Sequence, residues 1–295
     1  MRIALASCRD LPDWEVDDHA LHQALGDRGV DWAVHPWDAD VDWSGFDAVL
    51  LRTTWDYHHR RDAFVAWCDA VGSQTRLFNP AAVVRWNTDK TYLRDLARHG
   101  APLAPTVWIE RDTRPDAVAL LGQLGWGRAF IKPIVGANAS DTLRFYLDPA
   151  GLAAAQKHLD GMLGRTGAMV QPYLAAVETE GERSAILVAG EVTHCVRKVP
   201  ARGDYRVQDD WGATDGPTAF DQHDLDVVHG VMAAAAQVCP AAVDLLYARV
   251  DLLPGVDGRP VLAELEVVEP SLFLRHGRQC ADRLAAALIS RIDAG

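Results

Sequence analysis

Over the first eighty residues, short apolar runs alternate with stretches of helical apolar spacing. The apolar runs predict strands over 2–6, 30–37 and 46–51, with a shorter strand at 76–78. Helical spacing predicts helices over 14–28, where Gly29 is a natural end, and over 64–71. Strands that alternate with helices form a parallel sheet, and such sheets bind ligands at the carboxyl ends of their strands.

The rest of the chain is dominated by paired apolar runs separated by turns, the pattern of antiparallel hairpins. Strands are predicted over 106–109, 129–134, 142–147, 169–174, 182–189 and 192–199, with helices over 115–124, 151–163, 224–238 and 281–292. The last hairpin runs from Arg249 to Leu253, turns through Pro254 to Gly258 and returns from Val261 to Val268. The fold class is therefore α/β (α+β), and 295 residues suffice for two or three packed subdomains.

Composition and charge narrow the classes of function. The formal net charge of −12 disfavours a general surface for nucleic acids or anionic membranes, so an anionic ligand needs a local basic site. Five scattered cysteines form no CxxC pair, which indicates a reducing compartment and no structural zinc. The sequence shows neither a signal-peptide pattern nor an apolar stretch long enough to span a bilayer. We therefore expect a soluble cytoplasmic protein.

The last hairpin concentrates acidic side chains. Because side chains on a strand alternate between faces, Arg249 shares a face with Asp251, and Glu264 shares one with Glu266. If the register brings the two faces together, three carboxylates converge beside one arginine and repel one another unless a cation lies among them. Carboxylate oxygens suit Mg²⁺, which often bridges to substrate phosphates. A solvated acidic face on an antiparallel ribbon is the alternative interpretation.

Two lysines upstream occupy positions that favour an anionic ligand. A helix is predicted from Asn87 to Gly100, capped at Asn87 or the next residue, with Lys90 in its first turn. The helix dipole disfavours a cation there unless an anion shares the site. Lys132 lies in an apolar strand that runs into a small-residue loop at Gly136, which lets backbone N–H groups approach phosphates. For Lys90, a solvent-facing helix lysine is the alternative.

A polar loop in the N-terminal part is the candidate substrate site. It follows the strand at 46–51 and contains a cation, hydroxyls, aromatic rings and an acid, among them Arg52, Thr53 and Asp56. Its place after a parallel strand suits a ligand, and Arg52 is the natural partner for a substrate carboxylate. The alternative is a capped loop that leads into the next helix. The charged loop at 203–212 is also too long for a passive connector.

The order of these motifs resembles the ATP-grasp superfamily, especially its glutathione-synthetase-like and D-alanine–D-alanine-ligase-like branches. The motifs are Asn-x-x-Lys at 87–90, Ile-Lys-Pro at 131–133, Val-Gln-Pro-Tyr-Leu at 170–174 followed by Glu178, Ala-Arg-Val-Asp at 248–251 and Glu-x-Glu at 264–266. The resemblance implies an ATP-grasp fold in which ATP lies between two α+β subdomains. The implied boundaries are 1–85 for a parallel α/β substrate-side domain, 86–102 for a connecting helix, 103–174 for a lid subdomain and 175–295 for the subdomain with the metal site.

The resemblance also implies a role for each candidate residue. The residues expected to contact ATP are Lys90, Lys132, Gly136, Gln171, Pro172, Tyr173, Leu174, Glu178 and Lys198, with the two early lysines on phosphates and Glu178 on the ribose. The expected metal ligands are Asp251, Glu264 and Glu266, for two Mg²⁺ ions or for Mn²⁺. The catalytic candidates are Arg249, Lys198 and Arg206. The substrate candidates are Arg52, Thr53, Asp56, Arg183, Arg206, Glu269 and Ser271.

The implied reaction is ATP-dependent ligation of a carboxylate to an amine-type nitrogen through an acyl phosphate, on an amino-acid-like substrate. Many relatives have Glu-x-Asn where this chain has Glu264-Leu265-Glu266, so Glu266 adds a negative charge to the metal site. Chain length, the compact N-terminal domain and the run Glu-Pro-Ser-Leu-Phe at 269–273 resemble the subgroup that closes O-ureido-serine to the antibiotic cycloserine. Two alternatives are an ATP-grasp small-molecule kinase and a nucleotide-binding protein without catalysis.

The expected partner is a small molecule rather than a nucleic acid or a membrane. Seven of the ten tryptophans lie within the first 86 residues, and their most ordinary role is packing in cores and interfaces. They make the N-terminal domain a candidate face for a homodimer.

Overall fold

The computed structural model describes residues 1–12, 16–208 and 211–294. The N-terminal part comprises β1 (Arg2–Ser7), α1 (His19–Gly26), β2 (Asp31–Pro36), β3 (Ala48–Thr53), α2 (Arg61–Gln74) and β4 (Arg76–Phe78). Its strands are parallel in the order β2-β1-β3-β4, which confirms the predicted α/β unit. The helix predicted from Trp14 begins at His19 among the described residues, and residues 13–15 lie outside them.

Two short helices replace the single connecting helix that was predicted over 86–102. They are α3 (Ala81–Asn87) and α4 (Tyr92–Arg98). Asn87 ends the first helix instead of capping a second one, because its side chain bonds the C-terminal hairpin. It donates to the Leu265 carbonyl at 2.7 Å and accepts from the Val267 amide at 3.3 Å. Lys90 therefore lies in the turn between the helices, directly before Thr91 at the start of α4, and the prediction that it lies in the first turn of a helix was wrong.

The central subdomain is a four-stranded antiparallel sheet covered by two helices. It comprises β5 (Val107–Ile109), α5 (Ala117–Leu121), β6 (Arg128–Pro133), β7 (Leu143–Tyr146), α6 (Pro149–Met162) and β8 (Ala168–Pro172), with sheet order β5-β8-β6-β7. Apolar residues of α6 such as Leu152 and Leu159 pack on Ile131 and Val170 of the sheet. The opposite face of the sheet is left to cover a cavity.

The C-terminal subdomain contains the acidic hairpin in a five-stranded antiparallel sheet. It comprises α7 (Val177–Glu180), β9 (Glu182–Val188), β10 (Glu191–Val199), β11 (Thr214–Thr218), α8 (Gln222–Val238), β12 (Tyr247–Pro254), β13 (Pro260–Glu266) and α9 (Arg278–Asp293). The strand order is β11-β10-β9-β12-β13. The edge strand β11 was not predicted, because its sequence Thr-Asp-Gly-Pro-Thr lacks apolar alternation and contains a proline, which sheets tolerate at edges.

The longest helix, α8, begins at a reciprocal cap. Asp221 accepts from the amide of Asp224, and the Asp224 side chain accepts in return from the amide of Asp221. Such a capping box satisfies amide donors that the first helical turn leaves without partners. Within the described ranges, no helix combines the length and apolarity needed to cross a membrane.

The N-terminal and C-terminal parts share one hydrophobic core. Ile3 and Leu5 of β1 pack in a cluster with Ile186 of β9 and with Leu284 and Leu288 of α9. Helices α1 and α9 lie against each other in the same cluster. The relative position of the two parts is therefore fixed by buried apolar surface, and so is the end of the cavity that they form together.

A buried asparagine adds polar ties across the same junction. Asn79 is fully buried, and its side chain donates to the carbonyls of Tyr247 (3.0 Å) and Val267 (2.8 Å). It also accepts from the amide of Leu246 at 2.8 Å. These bonds hold the chain that follows β4 against both strands of the acidic hairpin.

The tryptophans of the N-terminal domain mainly fill its core. Trp37 and Trp43 are buried, and both rings contact Trp67, which also stacks on Phe64. These three tryptophans therefore stabilise the domain from inside and do not supply an exposed face for a second subunit.

Candidate active site

The hairpin of β12 and β13 brings the predicted residues together as its strand periodicity requires. Arg249 lies opposite Glu266 in the register, and Asp251 lies opposite Glu264. The Arg249 guanidinium donates to both carboxylate oxygens of Asp251, at 2.9 Å from Nε and from Nη2, and to Glu266 at 2.5 Å. It also donates to the Ser271 carbonyl at 3.0 Å. The arginine is therefore held in one orientation by the groups that it links.

Asp251 is the most enclosed acid of the site. It is 1% exposed and accepts from the Ser184 hydroxyl at 2.6 Å and from Lys198 at 3.3 Å, in addition to Arg249. Burial works to raise its pKa, but the charges of Arg249 and Lys198 outweigh burial and hold the pKa well below its usual range. Lys198 in turn contacts Glu182. Asp251 is therefore an ionised carboxylate with two cations attached.

Glu264 faces the two early lysines. Its carboxylate lies 3.0 Å from Lys90 Nζ and 3.8 Å from Lys132 Nζ. Burial alone would raise the pKa of Glu264, and the two ammonium charges lower it below the usual value. Residues separated by up to 174 positions in the sequence thus meet within one ion-pair cluster. Both lysines point to the place where a polyanionic ligand would contact them.

Lys90 also fixes the small-residue loop. Its ammonium donates to the Gly136 carbonyl at 2.7 Å, and its amide donates to the Ile134 carbonyl at 2.9 Å. A Cβ on Gly136 would lie 2.6 Å from the Pro133 side chain, so only glycine fits at this bend. The loop is thereby held close to Lys132, as the phosphate-binding interpretation requires.

Negative charge remains in excess around Glu266 and Glu269. Burial and the charges of Asp251 and Glu264 raise the pKa of Glu266 to about 7, despite its contact with Arg249. Burial and the charge of Glu266 raise the pKa of Glu269 to about 8. The raised pKa values mean that the ionised carboxylates are destabilised here, and an additional positive charge would stabilise them.

The predicted metal ligands fit a metal ion only in part. Among the residues that the structure describes, no three His, Cys, Asp or Glu side chains are arranged to hold a metal by themselves. Asp251, Glu264 and Glu266 instead each face a lysine or an arginine. Hard oxygen donors and excess negative charge nevertheless suit a divalent ion that takes its remaining ligands from phosphates and water.

A cavity of about 280 Å³ lies between the central and C-terminal sheets. Leu253, Val261 and Leu262 provide an apolar wall, and the acids and lysines described above form a polar one. Around the end of β8, the lining residues include four that were predicted to contact ATP, Gln171, Pro172, Tyr173 and Leu174. This combination of an apolar slot with charged groups at one end suits a nucleotide.

Aromatic rings and arginines surround the nucleotide end. Tyr205 makes edge contacts with Phe130 and Tyr173, with ring centroids 5.2 Å and 6.2 Å apart. Glu178, the predicted ribose ligand, accepts from the Tyr173 hydroxyl at 2.6 Å and from Arg144 at 3.0 Å. Its neighbour Val177 lines the cavity, whereas Glu178 lies just outside the lining. Contact with a ribose would therefore require Glu178 to exchange one of these partners.

The predicted N-terminal loop reaches the cavity, but through residues that were not singled out. Trp55 and Tyr57 line it, whereas Arg52, Thr53 and Asp56 do not. Thr53 is buried against the Ser7 hydroxyl at 2.8 Å, and Asp56 accepts from the Trp37 indole at 2.8 Å. The aromatic rings of this loop were noted in the sequence, but neither was named as a substrate candidate, because core packing is the more common role of such rings.

Arg52 in particular does not match its predicted role. It is 2% exposed, and Nε and Nη2 both donate to Asp18, the latter at 2.7 Å, while Nη2 also reaches the Pro270 carbonyl at 3.3 Å. Its remaining nitrogen, Nη1, is buried without a hydrogen-bond partner, but the residue does not line the cavity. The prediction that Arg52 binds a substrate carboxylate is wrong for this geometry, because its charge is already neutralised in the interior.

The other substrate candidates divide in the same way. Arg183 forms a paired contact with Asp224 at the start of α8 and does not line the cavity. Arg206 does line it, although its guanidinium is bound to Asp204 and stacked 3.4 Å above the Trp211 ring. Glu269 and Ser271 line the cavity, and their role in binding substrate stays a prediction.

Several lining residues were missed by the sequence analysis. Glu182 lines the cavity, and Ser184, two positions further along β9, lies outside the lining but bonds Asp251. Both therefore point to the ion-pair cluster, and this spacing was a usable signal. Phe273 is another, with the charges of Arg249 and Lys198 at 5.5 Å and 5.9 Å from its ring. Nothing in the local sequence indicated that the backbone at Phe273 turns into the left-handed region, φ 48°.

Known proteins are similar to this chain over most of its length. The family model described as D-cycloserine synthetase DcsG, N-terminal domain, matches residues 3–79, and the one described as prokaryotic glutathione synthetase, ATP-grasp domain, matches residues 124–251. The chain is 34% identical to the cycloserine biosynthesis protein DcsG of Streptomyces lavendulae over 292 residues, which is 94% of each protein. The chain belongs to the DcsG family of ATP-grasp ligases.

Solved structures agree with this assignment. The DcsG-family ligase is similar to the crystal structure of D-cycloserine synthetase DcsG with a TM-score of 0.89 and 30% identity, covering 99% of this chain and 100% of that one. It is also similar to the D-alanine–D-alanine ligase from Bacillus anthracis complexed with ATP, with a TM-score of 0.72 over 100% and 98% of the two chains. At 14% identity, the latter similarity shows the fold alone.

The resemblance inferred from the motifs and the fold class are thus confirmed. The DcsG-family ligase is an enzyme, an ATP-dependent carboxylate–amine ligase. As in ATP-grasp ligases generally, its chemistry uses ATP and a divalent metal ion. This assignment decides against the alternatives of a kinase and of a nucleotide-binding protein without catalysis.

Proposed function

We propose that this ligase activates the carboxylate of O-ureido-D-serine with ATP and closes the molecule to the antibiotic cycloserine. The observation that carries the proposal is the 34% identity to a cycloserine biosynthesis protein over 94% of both chains. The matching region includes the N-terminal domain, which brings Trp55 and Tyr57 to the cavity. We assign the substrate end of the cavity to this part of the chain, and the match to the DcsG N-terminal domain over residues 3–79 supports that assignment.

The proposed reaction requires no nucleophile from the enzyme. A carboxylate oxygen takes the γ-phosphoryl group of ATP, which gives an acyl phosphate and ADP. The ureido nitrogen bonded to the side-chain oxygen then attacks the carbonyl carbon, so a C–N bond forms, a C–O bond breaks and phosphate leaves. Removal of the carbamoyl group by one water releases CO₂ and ammonia. Positioning and neutralisation of charge are what the protein must contribute.

The proposed roles of the residues follow the geometry. Lys90, Lys132 and Lys198 bind phosphate oxygens, together with backbone groups of the loop at Gly136. Arg249, fixed by five hydrogen bonds, stabilises the charge of the transferring phosphoryl group, and Arg206 on the facing loop assists it. The nucleotide base lies against residues 171–174, with Glu178 near the ribose. Glu269 and Ser271 face the amino acid.

Asp251, Glu264 and Glu266 are the proposed holders of the divalent metal, as two Mg²⁺ ions with Mn²⁺ as a substitute. When bound, the metal neutralises phosphate charge and orients the transferring group. We also place the enzyme in the cytoplasm, where ATP is available, and retain a homodimer as its proposed oligomeric state. Light scattering of the purified protein, compared with its 32.3 kDa monomer mass, tests the latter.

We expect ADP and phosphate release that depends on O-ureido-D-serine and on a divalent metal, with cycloserine as the product. Chelation of the metal should stop turnover. Coupled ADP assays and mass spectrometry of the product measure both results, and hydroxylamine should trap the acyl phosphate as a hydroxamate. The L enantiomer and D-serine serve as control acids. Absence of ADP release with O-ureido-D-serine, when another amino acid supports it, would overturn the substrate assignment but keep the ligase chemistry.

A further inference from the structure

One acid of the cavity differs from all the others. The acidic side chains that line it are Glu182, Asp251, Glu264, Glu266 and Glu269. The first four each contact a lysine or an arginine. Within the described ranges, the Glu269 carboxylate has no ion-pair partner and no side-chain hydrogen-bond donor. Lys90, whose charge acts on it, is engaged instead with Glu264 at 3.0 Å.

The main chain around Glu269 is nevertheless fixed. The Trp55 indole donates to the Glu269 carbonyl at 3.1 Å, and Arg52 donates to the carbonyl of the next residue, Pro270, at 3.3 Å. The buried pair of Arg52 with Asp18 thus holds the backbone on which Glu269 is mounted. The Glu269 carboxylate is thus half-buried, fixed in position and without a cationic partner among the residues that the structure describes. A cationic group of a ligand would fill that place.

The surroundings distinguish between two kinds of cation. Trp55 and Tyr57 line the cavity beside Glu269. Burial raises the pKa of the Tyr57 hydroxyl, and the charge of Glu269 raises it further. Aromatic rings attract organic ammonium groups, whereas Mg²⁺ requires several oxygen ligands in a tight octahedron. The position also lies three residues beyond Glu266, on the side of the N-terminal domain. An ammonium group therefore fits this place better than a metal ion.

We propose that Glu269 is the specificity-determining residue that binds the α-ammonium group of the substrate amino acid, between Trp55 and Tyr57. This assignment rests on the proposed function, because it requires an amino acid as the substrate. Binding at Glu269 orients the acid so that its carboxylate faces Arg249 and the lysines. Acids that lack the ammonium group are not oriented in this way, so the enzyme uses them less efficiently.

The test pairs two substrates with two variants. The acids are O-ureido-D-serine and 3-(ureidooxy)propanoic acid, which differs only by lacking the amino group. The enzymes are wild type, Glu269→Gln and, as a matched control, Glu191→Gln, which changes an exposed acid at the start of β10 outside the cavity. Initial rates of ADP release give kcat and KM for each combination, and ATP binding with thermal melting reports folding.

We expect wild type and Glu191→Gln to prefer the amino acid by about 10–100-fold in kcat/KM, mostly through KM. Glu269→Gln should lose that preference, because it weakens use of the amino acid and leaves use of the analogue nearly unchanged. The two enzymes and two acids form a double-mutant cycle, which isolates the energy of the contact between Glu269 and the amino group.

Three results would overturn the assignment. The first is equal use of both acids by the wild-type enzyme. This result needs no variant, so it would contradict the proposal even if Glu269→Gln failed to fold. Equal loss on both acids would make Glu269 a structural or catalytic group. A lower kcat that recovers with more Mg²⁺ would make it a metal ligand. If neither acid supports ADP release by wild type while another amino acid does, the proposed function fails, and that amino acid and its desamino analogue replace the pair.

Discussion

Replacing Glu264 with glutamine is expected to lower kcat by about 10²–10³-fold while the protein stays folded. Glutamine keeps the shape of the side chain but removes the charge that faces Lys90 at 3.0 Å and Lys132 at 3.8 Å. It also removes one of the proposed metal ligands. The measurement is the rate of ADP release with O-ureido-D-serine over a range of Mg²⁺ concentrations, with circular dichroism as the check on folding.

The matched control for this variant is again Glu191→Gln, which we expect to retain the wild-type rate within about twofold, since surface changes away from a site have small effects. If Glu264→Gln kept more than about a tenth of wild-type activity at every Mg²⁺ concentration, the metal assignment would be incorrect. A rate that recovers fully at high Mg²⁺ would instead limit the role of Glu264 to metal affinity.

Replacing Arg52 with methionine is expected to cost about 3–5 kcal/mol of unfolding free energy, because Asp18 is then left buried without its counter-charge. Arg52 is 2% exposed and binds both oxygens of Asp18. The measurement is chemical denaturation followed by tryptophan fluorescence. Adding Asp18→Asn to the variant should restore part of the loss, since it removes the isolated charge.

Arg60→Met provides the comparison for Arg52. Arg60 pairs with Asp38 at 2.9 Å, but its side chain is 48% exposed, so its loss should cost at most about 1 kcal/mol. An Arg52→Met protein as stable as wild type, with a raised KM for the amino acid, would return Arg52 to the substrate site. A loss of stability with unchanged KM in the folded fraction would confirm the structural role.

The parts of the site that were predictable follow from local periodicity. The faces of Arg249, Asp251, Glu264 and Glu266 are set by strand alternation and by a short turn, which the sequence displays directly. Lys132 is similar, since it lies in a regular strand. In each case the position of the side chain depends on neighbours within a few residues.

The parts that were mispredicted depend on distant partners. Arg52 is drawn inward by Asp18, 34 positions earlier, and the loop lines the cavity through Trp55 and Tyr57 instead. Asn87 ends a helix because its side chain bonds the backbone at Leu265, 178 positions later. Tertiary contacts determine these conformations and override local propensity, so the neighbouring residues carry no pattern that predicts them.

The core shared by the N-terminal and C-terminal parts has a consequence for how substrate preference can change. Ile3 and Leu5 pack directly with Ile186, Leu284 and Leu288, so the N-terminal domain is not a detachable module. Exchange of that domain between relatives would bring two surfaces together that were never shaped to match, and the chimera would lose core packing before it gained a new preference. New specificities in this family should therefore arise by replacement of single side chains at the rim, at Trp55, Tyr57 and Glu269, on a scaffold that stays intact.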